Sequence, residues 1–215
     1  MGHGARLYVL RGRVAIVIPT DLLERAQALA GAGRRRILGI AGAPGAGKST
    51  LAEGLVEALG GLAVLVPMDG FHLAQAELER LGRAGRKGAS DTFDAGGYAA
   101  LLERLRTGED TVYAPAFDRS IEEPVAGSIA VPAGVPLVIT EGNYLLHWER
   151  ARGLLDEVWF LEIGAEERVR RLVARHVRYG KDPAEAERWV RTSDEANARL
   201  VEAGRARADL VVAGQ

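Results

Sequence analysis

The chain has 215 residues, of which 47% are hydrophobic and 27% are charged, and its net charge at pH 7 is −1. These values fit one globular domain and provide no strong field for binding long nucleic acids or a membrane surface. The absence of cysteine excludes thiol catalysis, disulfide bonds and cysteine-based metal sites. No apolar run approaches the ~18 residues of a membrane helix, so we predict a cytoplasmic protein with no membrane partner. Because the net charge is near zero, we also predict that no nucleic-acid polymer is a partner.

The first predicted elements precede the strongest motif. Residues 1–18 are interpreted either as a short extra strand or as a disordered leader. Residues 21–32 are predicted to form a helix, because Asp21 can cap its start and apolar side chains recur on one face. The apolar run at 36–41 follows and is predicted to be a buried strand.

The segment 42–49 reads GAPGAGKS, a full match to the phosphate-binding pattern G-x-x-x-x-G-K-[ST]. It follows a predicted strand and begins a predicted helix, a context in which glycines let backbone N–H groups turn onto phosphate oxygens. Lys48 is expected to reach the β- and γ-phosphates, and the Ser49 hydroxyl is expected to bind Mg²⁺. The sequence therefore predicts a nucleoside triphosphate site formed by Gly42, Ala43, Pro44, Gly45, Ala46, Gly47, Lys48, Ser49 and Thr50.

Two further apolar runs are followed by carboxylates. The run at 62–66 precedes Asp69, and the predicted strand at 136–140 precedes Glu141. Because ligands bind beyond the carboxyl ends of parallel strands, both acids are expected beside the phosphate loop. We predict that Asp69 accepts the proton of a substrate hydroxyl and that Glu141 contributes to the Mg²⁺ site. Two other interpretations stay open, a turn residue for Asp69 and a capping residue for Glu141.

The remaining elements complete an alternation of strands and helices. Residues 82–97 are predicted to be a mobile loop, 98–106 a short helix, and 112–129 an irregular segment with short antiparallel pieces. Two more strands are predicted at 158–161 and 209–212. The alternation predicts a single α/β domain with a P-loop NTPase fold, in which helices cover both faces of a parallel sheet of about five strands.

Residues 166–178 are predicted to form a helix whose arginines make one basic stripe, namely Arg168, Arg171, Arg175 and Arg178. Guanidinium groups suit phosphate oxygens and the charge that develops during phosphoryl transfer. We expect Arg171 and Arg175 to act catalytically from a closing lid at about 166–182, while a solvated helix face is the alternative interpretation. The Gly180-Lys181 turn before a helix capped by Asp182 is a candidate hinge.

A resemblance to a known family rests on four segments, GAPGAGKST, PMDGFHL, YAPAFDRSIEEPV and VITEGNYLL. Together they resemble the P-loop small-molecule kinases grouped with uridine kinase, phosphoribulokinase and type I pantothenate kinase. The similarity runs from about Arg36 to Val212, and its specific part is the Asp-Gly-Phe-His piece. It implies that Asp69 is the catalytic base and that Lys48, Ser49 and Glu141 serve ATP and Mg²⁺.

The same resemblance implies a substrate side. It assigns substrate contacts to Phe117, Asp118 and Arg119, with Arg119 foremost, and His72 and Tyr144 are further candidates. Uridine kinases normally show Tyr-Asp-Ser-Phe-Tyr where this chain has Met-Asp-Gly-Phe-His. The departure leaves the acceptor open among a nucleoside, a pantothenate-like molecule and a sugar.

The leading hypothesis is an ATP-dependent kinase that phosphorylates a hydroxyl of a small metabolite. A nucleoside monophosphate kinase is an alternative, because the arginine stripe could hold an acceptor phosphate. A regulatory GTPase or binding module is a further alternative, although no Asn-Lys-x-Asp element is present and the switch-like Asp94-Ala-Gly-Gly97 follows a loop. The sequence leaves open whether the chain forms a homodimer.

Overall fold

The computed structural model describes residues 5–9 and 15–214. The described strands are β1 (Ala5–Val9), β2 (Ala15–Pro19), β3 (Arg36–Ala41), β4 (Ala63–Leu65), β5 (Val112–Asp118), β6 (Glu123–Val131), β7 (Leu137–Gly142), β8 (Glu157–Glu162) and β9 (Leu210–Ala213). The described helices are α1 (Thr20–Ala30), α2 (Lys48–Leu59), α3 (Gln75–Arg80), α4 (Ala95–Thr107), α5 (Glu149–Arg152), α6 (Ala165–Arg178), α7 (Pro183–Trp189) and α8 (Glu195–Glu202). None of these helices is both long and apolar enough to cross a membrane.

The central sheet has the strand order β4-β7-β3-β8-β9, and every neighbouring pair in it is parallel. Alternate residues of its strands bury into two separate apolar clusters, with Ile37 and Val138 in one and Leu38 and Ile139 in the other. Because side chains alternate across a strand, this division means that both faces of the sheet are covered. The predicted α/β fold with a parallel sheet of about five strands is confirmed.

Two antiparallel pairs lie outside the central sheet. Strand β1 pairs with β2. Residues 1–18 were interpreted as an extra strand or a disordered leader, and of these residues 1–4 and 10–14 lie outside the described part of the chain.

Strand β5 pairs with β6 over most of their length, with an irregular register around Pro115. The prediction of an irregular segment with short antiparallel pieces at 112–129 was therefore wrong in extent. Proline was the misleading signal, and it is tolerated because both strands of a two-stranded sheet are edge strands.

Helix α4 begins within the segment that was predicted to be a loop. Asp94 caps it, because its side chain accepts a hydrogen bond of 2.8 Å from the backbone N–H of Gly97. The helix therefore starts at Ala95 and not at Tyr98, and the switch-like sequence Asp94-Ala-Gly-Gly97 is a helix start. The mobility expected for residues 82–97 stays a prediction.

Candidate active site

The phosphate loop connects β3 to α2, and three of its glycines, Gly42, Gly45 and Gly47, have positive φ angles. A Cβ atom on Gly45 would lie 2.8 Å from Cγ of Leu172 and 3.0 Å from the carbonyl oxygen of Arg168, both on α6. Only glycine permits this approach. Helix α6 therefore packs directly on the loop that the sequence assigns to phosphate binding.

Lys48 is buried at the first turn of α2. Its Nζ atom donates to the carbonyl oxygen of Ala43 at 3.1 Å and to Oδ1 of Asn143 at 2.8 Å. Burial lowers the pKa of Lys48 to about 8, although the nearby carboxylates of Glu141 and Asp69 oppose the shift. An ammonium group has three donors, so one N–H remains available to an anion at this position.

Glu141 lies at the carboxyl end of β7, where its Oε1 atom accepts a hydrogen bond of 3.1 Å from Oγ of Ser49. Burial raises the pKa of Glu141 to about 7, and the negative charge of Asp69 adds to that effect. The pair offers one hydroxyl and one carboxylate oxygen, which are ligand types that Mg²⁺ prefers. Among the described residues, no group of three or more acidic or histidine side chains is arranged to hold a metal ion by itself.

Asp69 lies in the short helical turn Met68–Phe71, after β4. A Cβ atom on Gly70 would lie 2.4 Å from the carbonyl oxygen of Pro115, so only glycine allows this turn to contact β5. That contact brings Oδ2 of Asp69 to 3.1 Å from Nη2 of Arg119, just beyond β5. The carboxylate is thus held by a cation at the same sheet edge as Glu141.

A cavity of about 410 Å³ joins these groups. The predicted site residues that line it are Pro44, Gly45, Lys48, Ser49, Asp69, His72, Phe117, Arg119, Glu141 and Arg175. The predicted residues outside its lining are Gly42, Ala43, Ala46, Gly47, Thr50, Asp118, Tyr144 and Arg171. Tyr144 is fully buried, and its hydroxyl donates to the carbonyl oxygen of Gly88 at 2.6 Å. The side chain therefore supports the segment 82–94, which precedes the helix α4, from outside the cavity lining.

The arginines of α6 do not share one environment. Arg168 is 3% exposed, shares the buried face with Leu172 and donates to Glu195 of α8. Arg171 pairs with Glu167, and Arg175 lines the cavity. The expected single stripe is therefore divided, because Glu195 of α8 supplies a half-buried carboxylate partner for Arg168. Two buried nitrogen atoms of the Arg168 guanidinium group, Nε and Nη1, have no hydrogen-bond partner among the described residues.

Some cavity residues, among them His176 and Trp189, were not singled out as site residues from the sequence. On the side of α6–α8, Nε2 of His176 lies 2.8 Å from Oδ2 of Asp194, and Lys181 lies 4.7 Å from the ring centroid of Trp189. Asp194 ends a π-helical turn at Val190–Asp194. Such turns frequently occur at functional sites, but they cannot be predicted from the spacing of hydrophobic residues in the sequence.

We expect the buried carboxyl of Glu141 to make stability depend on pH. Its folded-state pKa of about 7 exceeds the ordinary value of 4.5, so the folded protein binds more protons than the unfolded chain between these limits. Stability should therefore fall as pH rises from 4.5 to about 7, by at most about 3 kcal/mol relative to Glu141→Gln. Urea unfolding of both proteins from pH 5 to pH 8 measures this difference. Glu103→Gln, which alters an exposed pair with Arg150, is the control, and a pH-independent difference for Glu141→Gln would contradict the prediction.

No family model matches the chain, whereas several known proteins are similar to it in sequence or in structure. An Aspergillus versicolor protein named "ATP-dependent kinase-like protein notR'" is 39% identical over 61% of this chain and 84% of its own length. A Schizosaccharomyces pombe protein named "Putative uridine kinase C227.14" is 34% identical over 89% of this chain and 88% of its own length. The crystal structure of a "putative fructose transport system kinase" from Silicibacter sp. TM1040 is 36% identical with a TM-score of 0.81, covering 89% of this chain and 98% of that one.

Proposed function

This chain belongs to the P-loop small-molecule kinases that include uridine kinase and pantothenate kinase, and we propose that it transfers the γ-phosphoryl group of ATP to a hydroxyl of a small metabolite. The supporting observation is that Lys48, the Ser49–Glu141 pair and Asp69 line one cavity at one edge of the sheet. Lys48 and the Ser49–Glu141 pair are suited to a magnesium-bound triphosphate. Asp69 supplies a carboxylate next to the space where an acceptor can enter.

Each residue has a distinct task in this proposal. The amide groups of the phosphate loop and the third N–H of Lys48 bind the triphosphate, and Ser49 with Glu141 would hold Mg²⁺. When bound, Mg²⁺ would neutralise charge on the phosphate oxygens. Arg175, which reaches the cavity from α6, stabilises negative charge on the transferring group.

Asp69 acts on the acceptor. Its carboxylate takes the hydroxyl proton as the oxygen forms a bond to the γ-phosphorus, and the bond to the leaving ADP oxygen breaks. The contact with Arg119 fixes the carboxylate in position before the acceptor binds. In this arrangement, Arg119 orients the base and also contributes a cation to the acceptor side.

The direct test is acceptor-dependent ADP formation. The purified protein is incubated with ATP, Mg²⁺ and a panel of nucleosides, sugars, polyols and hydroxy acids, and ADP is measured against a reaction without acceptor. At least one alcohol should raise ADP formation well above the water-only rate and yield a product heavier by one phosphate group in mass spectrometry. The absence of acceptor-dependent ADP with every alcohol, in a protein that binds Mg·ATP, would overturn the proposal.

A further inference from the structure

Lysine is rare in this chain, and its distribution is uneven. The sequence has 3 lysines and 25 arginines. All three lysines line the cavity, whereas Arg119 and Arg175 are the only arginines among the described lining residues. Lysine carries a compact, strongly hydrated charge on a flexible stem, unlike the planar fork of arginine. We therefore infer that the ammonium groups of Lys87 and Lys181 have a role in the cavity, as that of Lys48 has in the phosphate loop.

Lys87 lies at the end of the cavity that contains Asp69. Its Nζ atom is 5.4 Å from the ring centroid of Phe117, and the guanidinium carbon of Arg119 is 5.6 Å from the same centroid. The two cations come from different segments, one from the 82–94 segment and the other from the connection between β5 and β6. Phe117 thus brings two positive charges together beside the candidate base.

A backbone carbonyl group holds the ammonium group of Lys87 in this position. The ammonium group donates to the carbonyl oxygen of Glu122 at 2.5 Å. Glu122 is the only non-glycine residue in the described chain with a positive φ, 55°, a conformation that costs about 1 kcal/mol or more. Among the described contacts, Arg119 uses one of its five donors on Asp69 and Lys87 one of its three. The remaining donors can bind a ligand.

The aromatic groups at this end of the cavity are in contact with one another. The ring of His72 lies between Phe93 and Phe117, with centroid distances of 3.9 and 4.7 Å. These three rings therefore contact one another, and the Phe117 ring also lies beneath the two cations Lys87 and Arg119. Burial lowers the pKa of His72, so its ring is neutral near pH 7 and the positive charge at this end comes from Lys87 and Arg119.

We propose that the acceptor is a small alcohol that carries an anionic group, a carboxylate or a phosphate, which Lys87 and Arg119 bind while its hydroxyl faces Asp69. This inference rests on the proposed function and narrows it to one class of acceptor. Lys87 then sets the affinity for the acceptor, and it has no part in binding ATP.

Matched pairs of alcohols test this inference. The pairs are D-glycerate and glycerol, gluconate and glucose, and pantothenate and pantothenol for the carboxylate, with ribulose 5-phosphate and ribulose for the phosphate. We expect at least one charged member to exceed its neutral partner by about tenfold or more in kcat/KM. Lys87→Met should raise KM for that acceptor by about tenfold, with kcat and the KM for ATP nearly unchanged, and Lys87→Arg should restore most of the loss. Arg86→Met, which alters an exposed pair with Asp91, is the control.

Two outcomes would overturn the inference. Neutral alcohols could be phosphorylated as efficiently as their charged partners, or Lys87→Met could impair both members of a pair equally. If no alcohol is phosphorylated, the proposed function is contradicted. The inference that Lys87 and Arg119 bind an anionic group is then tested by measuring ligand binding. With Mg·AMP-PNP bound, calorimetric titration with D-glycerate and with inorganic phosphate should show saturable binding that Lys87→Met weakens, and the absence of such binding would contradict it.

Discussion

Replacement of Asp69 by asparagine is expected to lower kcat for acceptor phosphorylation by roughly 10²- to 10⁴-fold. Asparagine keeps the size and one oxygen of the side chain but does not accept a proton near neutral pH. Because the phosphate loop and Lys48 are unchanged, the Kd for Mg·ATP should stay within about twofold of the wild-type value. Steady-state rates and a fluorescence titration with a labelled nucleotide measure the two quantities separately.

A matched control separates the role of Asp69 from a general effect of removing an acid. Asp91 also pairs with an arginine, Arg86, but it lies outside the cavity lining, so Asp91→Asn should keep normal turnover. Normal turnover by Asp69→Asn would show that the base has been wrongly assigned. Loss of nucleotide binding in the same variant would instead indicate that Asp69 belongs to the triphosphate side of the cavity.

The part of the site that sequence reasoning could place is the part carried by local patterns. Strand β3 has the predicted bounds and helix α2 begins at the end of the phosphate loop as predicted, because a short apolar run, a glycine-rich loop and a helical pattern follow one another in the sequence. The positions of Asp69 and Glu141 beside the loop followed from one topological rule about parallel strands. Their chemical roles stay predictions.

Other features depend on contacts between distant segments. The burial of Arg168 requires Glu195, which is contributed by α8 and is 27 residues away in the sequence. Tyr144 follows a strand end, the position expected of a ligand-binding residue, yet its hydroxyl donates to the backbone carbonyl oxygen of Gly88 in the segment 82–94. A helical or strand period does not encode which later element supplies a partner, so neither environment could be predicted.

Lys87 and Lys181 show a different reason for omission. The rarity of lysine is visible in the composition, but of the three lysines only Lys48 lies within a recognisable motif. The other two lysines lie in loops with no motif, and their common position in one cavity emerges only from the folded chain. The signal was present in the sequence, but its meaning required the three-dimensional arrangement.

Replacement of Lys48 by alanine is expected to raise the Kd for Mg·ATP by a factor of about 30 to several thousand, which corresponds to roughly 2–5 kcal/mol. The ammonium group is the buried cation of the phosphate loop, and its removal leaves phosphate charge that the amide groups alone would have to balance. Isothermal calorimetry with Mg·AMP-PNP measures the loss. Arg150→Ala removes an exposed cation that pairs with Glu103, and it should leave the Kd unchanged.

Lys48→Met distinguishes loss of binding from loss of folding. Because burial lowers the pKa of Lys48 from 10.5 to about 8, holding the charged form in the empty cavity costs up to about 3 kcal/mol below pH 8. Methionine fills similar space without that charge, so at pH 7 the variant should be as stable as the wild type or more stable. As pH rises from 8 to 10.5, wild-type Lys48 loses its proton in the folded state first, and the wild type should gain stability relative to the variant. A variant that unfolds more easily at pH 7, or that retains the full thermal shift with Mg·ATP, would contradict the role of Lys48 as a desolvated cation held for the triphosphate.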